Sequence, residues 1–248
     1  MRLLDGSGMS GDVHVPFCEG PRVKFPWSTR LTKLPTSRRG EYLSFYVVMD
    51  LFSRYIVAWM LSRKENSALA RQLMLEASQR YDIPSDTLTI HQDRGAPMTA
   101  HRYLDLLSEL AITASHSRPR VSNDNPMSES QFKTLKYQPD YPERFADYAH
   151  AQRWCQDYVR WYNEEHHHSV LNGFTPHQVF TGEYQELVKR QQTALNEACR
   201  RHPERFVQGP PLVKMPPEDV YINPVIEVEG HTPESGVDFP TLLKANRR

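Results

Sequence analysis

Two carboxylates, Asp93 and Glu129, carry the chemistry this sequence offers most plainly. Asp93 lies in Ile90-His91-Gln92-Asp93-Arg94-Gly95, directly after a short apolar stretch. Glu129 lies in the polar run Asn123-Asp124-Asn125-Pro126-Met127-Ser128-Glu129-Ser130-Gln131-Phe132-Lys133, with 35 residues between the two acids. Acids converging on divalent ions polarise phosphoryl oxygens and activate a nucleophile, the chemistry of cutting and rejoining a phosphodiester backbone. On the Glu129 segment the spacing i, i+4, i+7 sets Glu129, Lys133 and Lys136 on one helix face. Lysines beside such an acid suit contact with phosphates. By itself that face is a routine Glu–Lys surface pair, and it gains weight only through Asp93.

The elements that must position these acids follow from the hydrophobic pattern. Leu43 to Met49 is almost wholly apolar and reads as a strand buried on both faces. Asp50-Leu51-Phe52-Ser53-Arg54 punctuates it, and Tyr55 to Leu61 reads as its antiparallel neighbour; an earlier strand is expected near Thr29–Leu34, closed by Pro35. A helix capped by Asn66 or Ser67 carries Leu69, Leu73, Met74 and Ala77 as its apolar stripe. Leu88 and Ile90 begin a strand that delivers Asp93 to its carboxyl end. A helix over 100–110, with Leu104, Leu107 and Leu110 inward, and a short strand over 112–115 come next. The order β-β-β-α-β-α-β-α predicts an α/β domain with helices on a mixed sheet, where ligands gather at the carboxyl ends of strands. Further helices are expected over 146–163, with Trp154, Tyr158, Trp161 and Tyr162 in its core, and over 183–201. The chain then divides into an irregular leader (1–26), a core (27–182), a C-terminal helix (183–206) and an extended proline-rich tail (207–248) suited to docking on a partner.

Composition narrows the classes. Hydrophobic residues make up 39% of the chain, and no run approaches the roughly 18 apolar residues that a membrane span needs. Met1–Gly20 lacks the order of a signal peptide, so a cytoplasmic location is expected. Cys18, Cys155 and Cys199 are scattered and odd in number, which argues against a disulfide framework, and His14 with Cys18 is a lone pair rather than a zinc signature. Thirty basic residues balance thirty acidic ones, a mild argument against a nucleic-acid binder. Locally, however, Arg118, Arg120, Lys133 and Lys136 gather, as do Lys189, Arg190, Arg200, Arg201 and Arg205. Three consecutive histidines, His166 to His168, diverge on a helix end and read as exposed rather than as metal ligands. His91 reads equally as a packed residue or as one facing the acids, and Asn123 and Asn125 as shaping a helix start.

These segments together resemble the catalytic core of insertion-sequence transposases, relatives of the retroviral integrases with a ribonuclease H-like fold. The resemblance rests on Asp50-Leu51-Phe52-Ser53-Arg54, on His91-Gln92-Asp93-Arg94-Gly95, and on Ser117-Arg118-Pro119-Arg120-Val121-Ser122-Asn123-Asp124-Asn125-Pro126 running into Ser128-Glu129-Ser130-Gln131-Phe132-Lys133-Thr134-Leu135-Lys136. Trp161-Tyr162-Asn163 with His168 continues it, and His202-Pro203-Glu204-Arg205-Phe206 resembles the tail of one subgroup. It covers about Trp27 to Gly182. It implies a magnesium- or manganese-dependent polynucleotidyl transferase, DNA as substrate, a homo-oligomer on DNA, and a bacterial protein that joins the nucleoid when bound. Asp93 and Glu129 become catalytic metal ligands, and Arg118, Arg120, Lys133 and Lys136 become DNA contacts.

One departure matters. The family uses three acids, the first in a Trp-x-x-Asp-Ile-Thr segment; here the matching residues are Trp27-Ser28-Thr29-Arg30-Leu31-Thr32, which puts Arg30 in the first acidic position. Asp50 matches a family aspartate that is not catalytic. Exchanging Asp for Arg changes the local charge by two units, and one unit charge about 5 Å from another is worth roughly 3 kcal/mol at an effective dielectric of 20. Arginine cannot shed its proton to escape, although its stem can pack while its head reaches solvent. An arginine there could also pair with Asp93 and Glu129. The expectation is a domain that folds, binds metal weakly and is catalytically impaired, or a non-catalytic DNA-binding or oligomerising remnant. The family's helix-turn-helix recognition module does not fit into the 26 residues before Trp27, so an upstream partner chain is expected to supply it.

Overall fold

The apolar run at the centre of the domain explains its layering. In the computed structural model, which describes residues 26–93, 95–117, 126–209 and 211–217, Tyr42–Asp50 forms strand β2, and every residue after Tyr42 is buried. Phe45, Val47 and Met49 belong to one core while Tyr46 and Val48 belong to another. Side chains alternate across a strand, so an unbroken apolar run requires a cover on both faces. Strand β1 (Pro26–Pro35) pairs antiparallel with β2, and β2 with β3 (Ile56–Ser62). Strands β4 (Thr89–Gln92) and β5 (Thr113–His116) add in parallel on the other side, giving the order β3-β2-β1-β4-β5.

One face is covered by helices α1 (Ser67–Arg80), α2 (Ala96–Thr99) and α3 (His101–Glu109), the other by α4 (Pro126–Lys136) and α5 (Tyr148–Glu164). The sheet and its flanking helices thus take the ribonuclease H-like form expected from the sequence. Asn66 caps α1 as anticipated, accepting from the Ala68 amide at 2.9 Å. The buried stripe of α1 runs through Ala70, Leu73, Met74 and Ala77, with Leu69 at its half-buried margin.

The helix expected over 100–110 is α3, which Ala100 opens in an extended conformation, and the four-residue α2 precedes it. Leu107 is buried as expected, together with Tyr103 and Leu106, while Leu104 and Leu110 are half-buried at the margin of the same core. In α5, Tyr158 and Tyr162 are buried while Trp154 and Trp161 pack at the rim of the core. Beyond α5, a 3-10 turn over Ser169–Leu171, helix α6 (Pro176–Thr181) and helix α7 (Tyr184–Arg201) follow, with Leu171, Phe174 and Val179 as a small third core. Among the described residues no helix is long and apolar enough to cross a membrane.

Candidate active site

The site is built where β1 and β4 run side by side. Their parallel register pairs Ser28 with His91 and Thr29 with Gln92, so Asp93 leaves the end of β4 at the level of Arg30. Trp27 and Thr29 face the α1–α3 layer, where Trp27 joins the core and the Thr29 hydroxyl donates to Met98 Sδ at 3.7 Å. Ser28 and Arg30 face α4. The Ser28 and Ser128 hydroxyls are 2.7 Å apart in a buried hydrogen bond, seating the first turn of α4 on β1.

Two residues further along β1 and one along α4, Arg30 Nη1 lies 3.0 Å from Glu129 Oε1, and its guanidinium stands over the Phe132 ring, 5.9 Å from the centroid. The Arg30 side chain is 28% exposed and that of Glu129 42%, so the pair is partly screened. Its attraction is then worth about 1 kcal/mol, as for other solvent-reached pairs. Of the two carboxylates that Arg30 could meet, it pairs with Glu129; among the described residues Asp93 forms no ion pair. Asp93 instead accepts the Gly95 amide at 3.0 Å through Oδ1, a local turn that fixes its carboxylate. A Cβ added to Gly95 would lie 3.0 Å from the same oxygen, so glycine lets the chain pass this close.

Lys133 and Lys136 are exposed on α4 as the spacing predicts, and among the described residues neither forms an ion pair. Arg118, Arg120, Asn123 and Asn125 lie outside the described residues, as do His14 and Cys18. His91 is buried, its Nδ1 3.0 Å from the Ser115 hydroxyl and its Nε2 3.3 Å from that of Ser117. It therefore ties β4 to β5, the packed alternative of the two.

The histidine triple diverges. His167 Nδ1 donates to the Gly173 carbonyl, while His168 Nδ1 accepts the Val170 amide at 3.2 Å. His166 and His168 are half-buried rather than exposed, because His166 lies against Trp161 and Tyr162. Burial, with Arg54 and His166 nearby, pushes the His168 imidazole down to about 4 and keeps it neutral as a cap. Asp50 is buried beneath the β2–β3 turn and accepts the Ser53 amide at 2.8 Å. It serves the hairpin, in keeping with its non-catalytic match.

Hard divalent ions take oxygen ligands, and holding two of them side by side calls for carboxylates that can be shared between them, with no fixed cation among them. The donor set here offers Asp93 and Glu129, with a permanent cation, Arg30, already engaging Glu129. Among the described residues no three His, Cys, Asp or Glu side chains group as metal ligands. These residues do not fit a carboxylate-bridged metal pair. Sequence reasoning placed the acids but missed Ser28, Ser128 and Phe132, the contacts that seat α4. The signal was available: Ser28 is two residues before Arg30 on one strand face, and Ser128 and Phe132 flank Glu129 at helical spacing.

Comparison with known proteins agrees with this frame. Residues 24–122 and residues 110–176 each match an integrase core domain family. The transposase for insertion sequence element IS904 of Lactococcus lactis is 33% identical over 151 residues, covering 60% of this chain and 58% of its own. The putative transposase InsK for insertion sequence element IS150 of Escherichia coli is 28% identical over 150 residues, covering 60% and 52%. This chain thus spans somewhat over half the length of those relatives. Among solved structures, a chain of the simian T-cell lymphotropic virus intasome in complex with PP2A regulatory subunit B56 gamma superposes with a TM-score of 0.51 at 18% identity, covering 66% of this chain and 56% of that one. The layered sheet and these matches, which together span residues 24–176, agree: the chain belongs to the integrase core domain family and is similar to insertion-sequence transposases.

Proposed function

We propose that this core serves DNA transposition as a DNA-binding and assembling unit whose cleavage and strand-transfer chemistry is impaired by Arg30. The observation that carries the reading is the 3.0 Å contact between Arg30 and Glu129. In the reading by family, Asp93 and Glu129 are the second and third acids of a magnesium or manganese site. Arg30 stands in the position of the first and occupies the third with its own charge. The fold tolerates the exchange, since the guanidinium bridges Glu129 and Phe132 at a half-exposed seam. Lys133 and Lys136 keep their charges free for phosphates, and α4 carries them beside the acids. A homo-oligomer on DNA, and end recognition by a helix-turn-helix unit, belong to the same reading.

The deciding experiment compares magnesium- and manganese-dependent nicking and strand transfer on supercoiled DNA by the wild-type chain and its Arg30→Asp variant. Activity confined to the variant is the expected result. Equal activity in both would show that another group supplies the third ligand and would overturn the impairment.

A further inference from the structure

Helix α7 is amphipathic, yet none of its residues is buried. Its first turns, through Tyr184, Leu187 and Val188, rest on the small core of Leu171, Phe174 and Val179. Its later turns present Gln191, Ala194, Leu195 and Ala198 to an open cavity of about 780 Å³ that Asn172, Val213 and Lys214 also line. Gly209, at φ 110°, takes part in the turn that follows α7, and residues 211–217 then return along the helix without regular secondary structure.

The contacts between helix and returning segment are made to backbone. The Gln192 side chain donates from Nε2 to the Pro211 carbonyl at 2.8 Å and accepts the Val213 amide through Oε1 at 3.0 Å. The Asn196 side chain accepts from the same Nε2 at 2.9 Å, holding the amide in that orientation. Asn172, in the left-handed region at φ 55°, donates from Nδ2 to the Met215 carbonyl at 2.5 Å. Residues 211, 213 and 215 alternate, so three groups on one edge of an extended chain are bound in succession. Leu212 points outward at 82% exposure, while Val213 is half-buried and Pro216 is buried. Prolines at 210, 211, 216 and 217 bracket the segment. They preset φ and carry no N–H, so the segment has little freedom left to lose on docking.

We propose that α7 and the Asn172 turn form a peptide-docking groove that recognises an extended, proline-bracketed segment by its backbone, and that its occupant is residues 211–217 of the same chain. The short connection from α7 holds the segment at high effective concentration, which favours its own groove over that of a second copy. The strap covers the apolar side of α7 and brings the chain back toward the Asn172 end of the core.

Amide hydrogen exchange on the full-length protein tests this. Between residues 210 and 217 only Leu212, Val213, Lys214 and Met215 carry backbone N–H groups, so this window reads the strap directly. In the wild type Val213 is expected to be protected, with protection unchanged on dilution. Gln192→Ala should speed its exchange by about tenfold, as for loss of its hydrogen-bonded anchor. Gln192→Glu keeps the acceptor for Val213 and should give an intermediate rate. Amides of β1 and β2 should be unaffected and so report an intact fold. Free-chain exchange in the wild type, or protection that survives Gln192→Ala, would overturn the groove. Protection that fades on dilution would overturn the occupant and assign it to a second copy.

Discussion

Arg30 Nη1 stands 3.0 Å from Glu129 Oε1, so strand β1 and helix α4 are joined by a direct ion pair. In the function proposed above, the guanidinium gives Glu129 the positive charge that a metal ion would otherwise bring. Arg30→Asp would place two carboxylates at the same seam, and like charges at such range cost about 1–3 kcal/mol. The variant should melt below the wild type without divalent ions and should gain several degrees on adding magnesium, whereas the wild type should gain little. Calorimetric or fluorescence melting with and without magnesium checks this. An equal response in both proteins would detach Arg30 from the metal question.

The sheet and most helices were legible because their signals are local. Leu43 to Met49 read as a strand covered on both faces through its length and its Val, Tyr and Phe content, and Asn66 or Ser67 marked the start of α1. Helix α6 was legible in principle and overlooked: Thr175 and Gln178 form a reciprocal capping box, Pro176 opens the helix, and Gly182 ends it at φ 83°. The short α2 before Ala100 was not legible, since its four residues are too few to show a helical period of their own. For the site, the identities of Asp93 and Glu129 could be read from motif. The partner chosen by Arg30 could not, because it depends on how α4 seats through Ser28 and Ser128, residues distant in sequence.

Lys133 and Lys136 are exposed on the helix that carries Glu129. If they meet phosphates, each neutralised contact contributes about one unit to the salt dependence of binding. Lys133→Ala with Lys136→Ala should weaken DNA affinity and flatten the plot of log affinity against log salt by about two units. Fluorescence anisotropy over a salt series measures both. Unchanged slope and affinity would remove these lysines from the DNA surface.

Gly95 offers a probe of the Asp93 carboxylate that spares the backbone. Its φ of −58° is open to any residue, so Gly95→Ala tests only the 3.0 Å approach of a new Cβ to Asp93 Oδ1. Displacing a reacting group by about 1 Å can cost on the order of a hundredfold in rate. In an Arg30→Asp background the added alanine should lower strand transfer at least tenfold while leaving the melting temperature nearly unchanged. A comparable fall in stability would mean that the loop, rather than the carboxylate, had moved.

Asp50 links stability to pH. Burial is the largest influence and pushes its carboxyl up from 3.8 to about 6, against the lowering effect of the Ser53 hydrogen bonds and of Arg54. The folded state therefore holds a proton that the unfolded state has released between those values. Stability from this group is present at the acid end and is lost as pH rises from about 4 to 6. The full shift corresponds to about 3 kcal/mol. Denaturant unfolding of the wild type and of Asp50→Asn across this window should show a steeper decline with rising pH in the wild type. Parallel curves would mean that Asp50 does not hold its proton.

Asn163 fastens the edge of the sheet to α5. Its Oδ1 accepts the Ile56 amide at 2.8 Å and its Nδ2 donates to the Ile56 carbonyl at 3.1 Å, all within the buried interior. Both backbone groups lie at the start of β3, where the Asp50–Arg54 turn has just reversed the chain. Asn163→Ala strands a donor and an acceptor together, and each buried group left unpaired costs about 1–3 kcal/mol. Asn163→Asp keeps the acceptor for the Ile56 amide, but it faces the Ile56 carbonyl with an oxygen and buries a charge. It should therefore destabilise at least as much as alanine at neutral pH and recover part of the loss in acid, where the protonated carboxyl can donate again. Urea unfolding of the three proteins at two pH values separates these effects. Should the alanine variant lose less than about 1 kcal/mol, the clamp on β3 would be too weak to hold the strand edge.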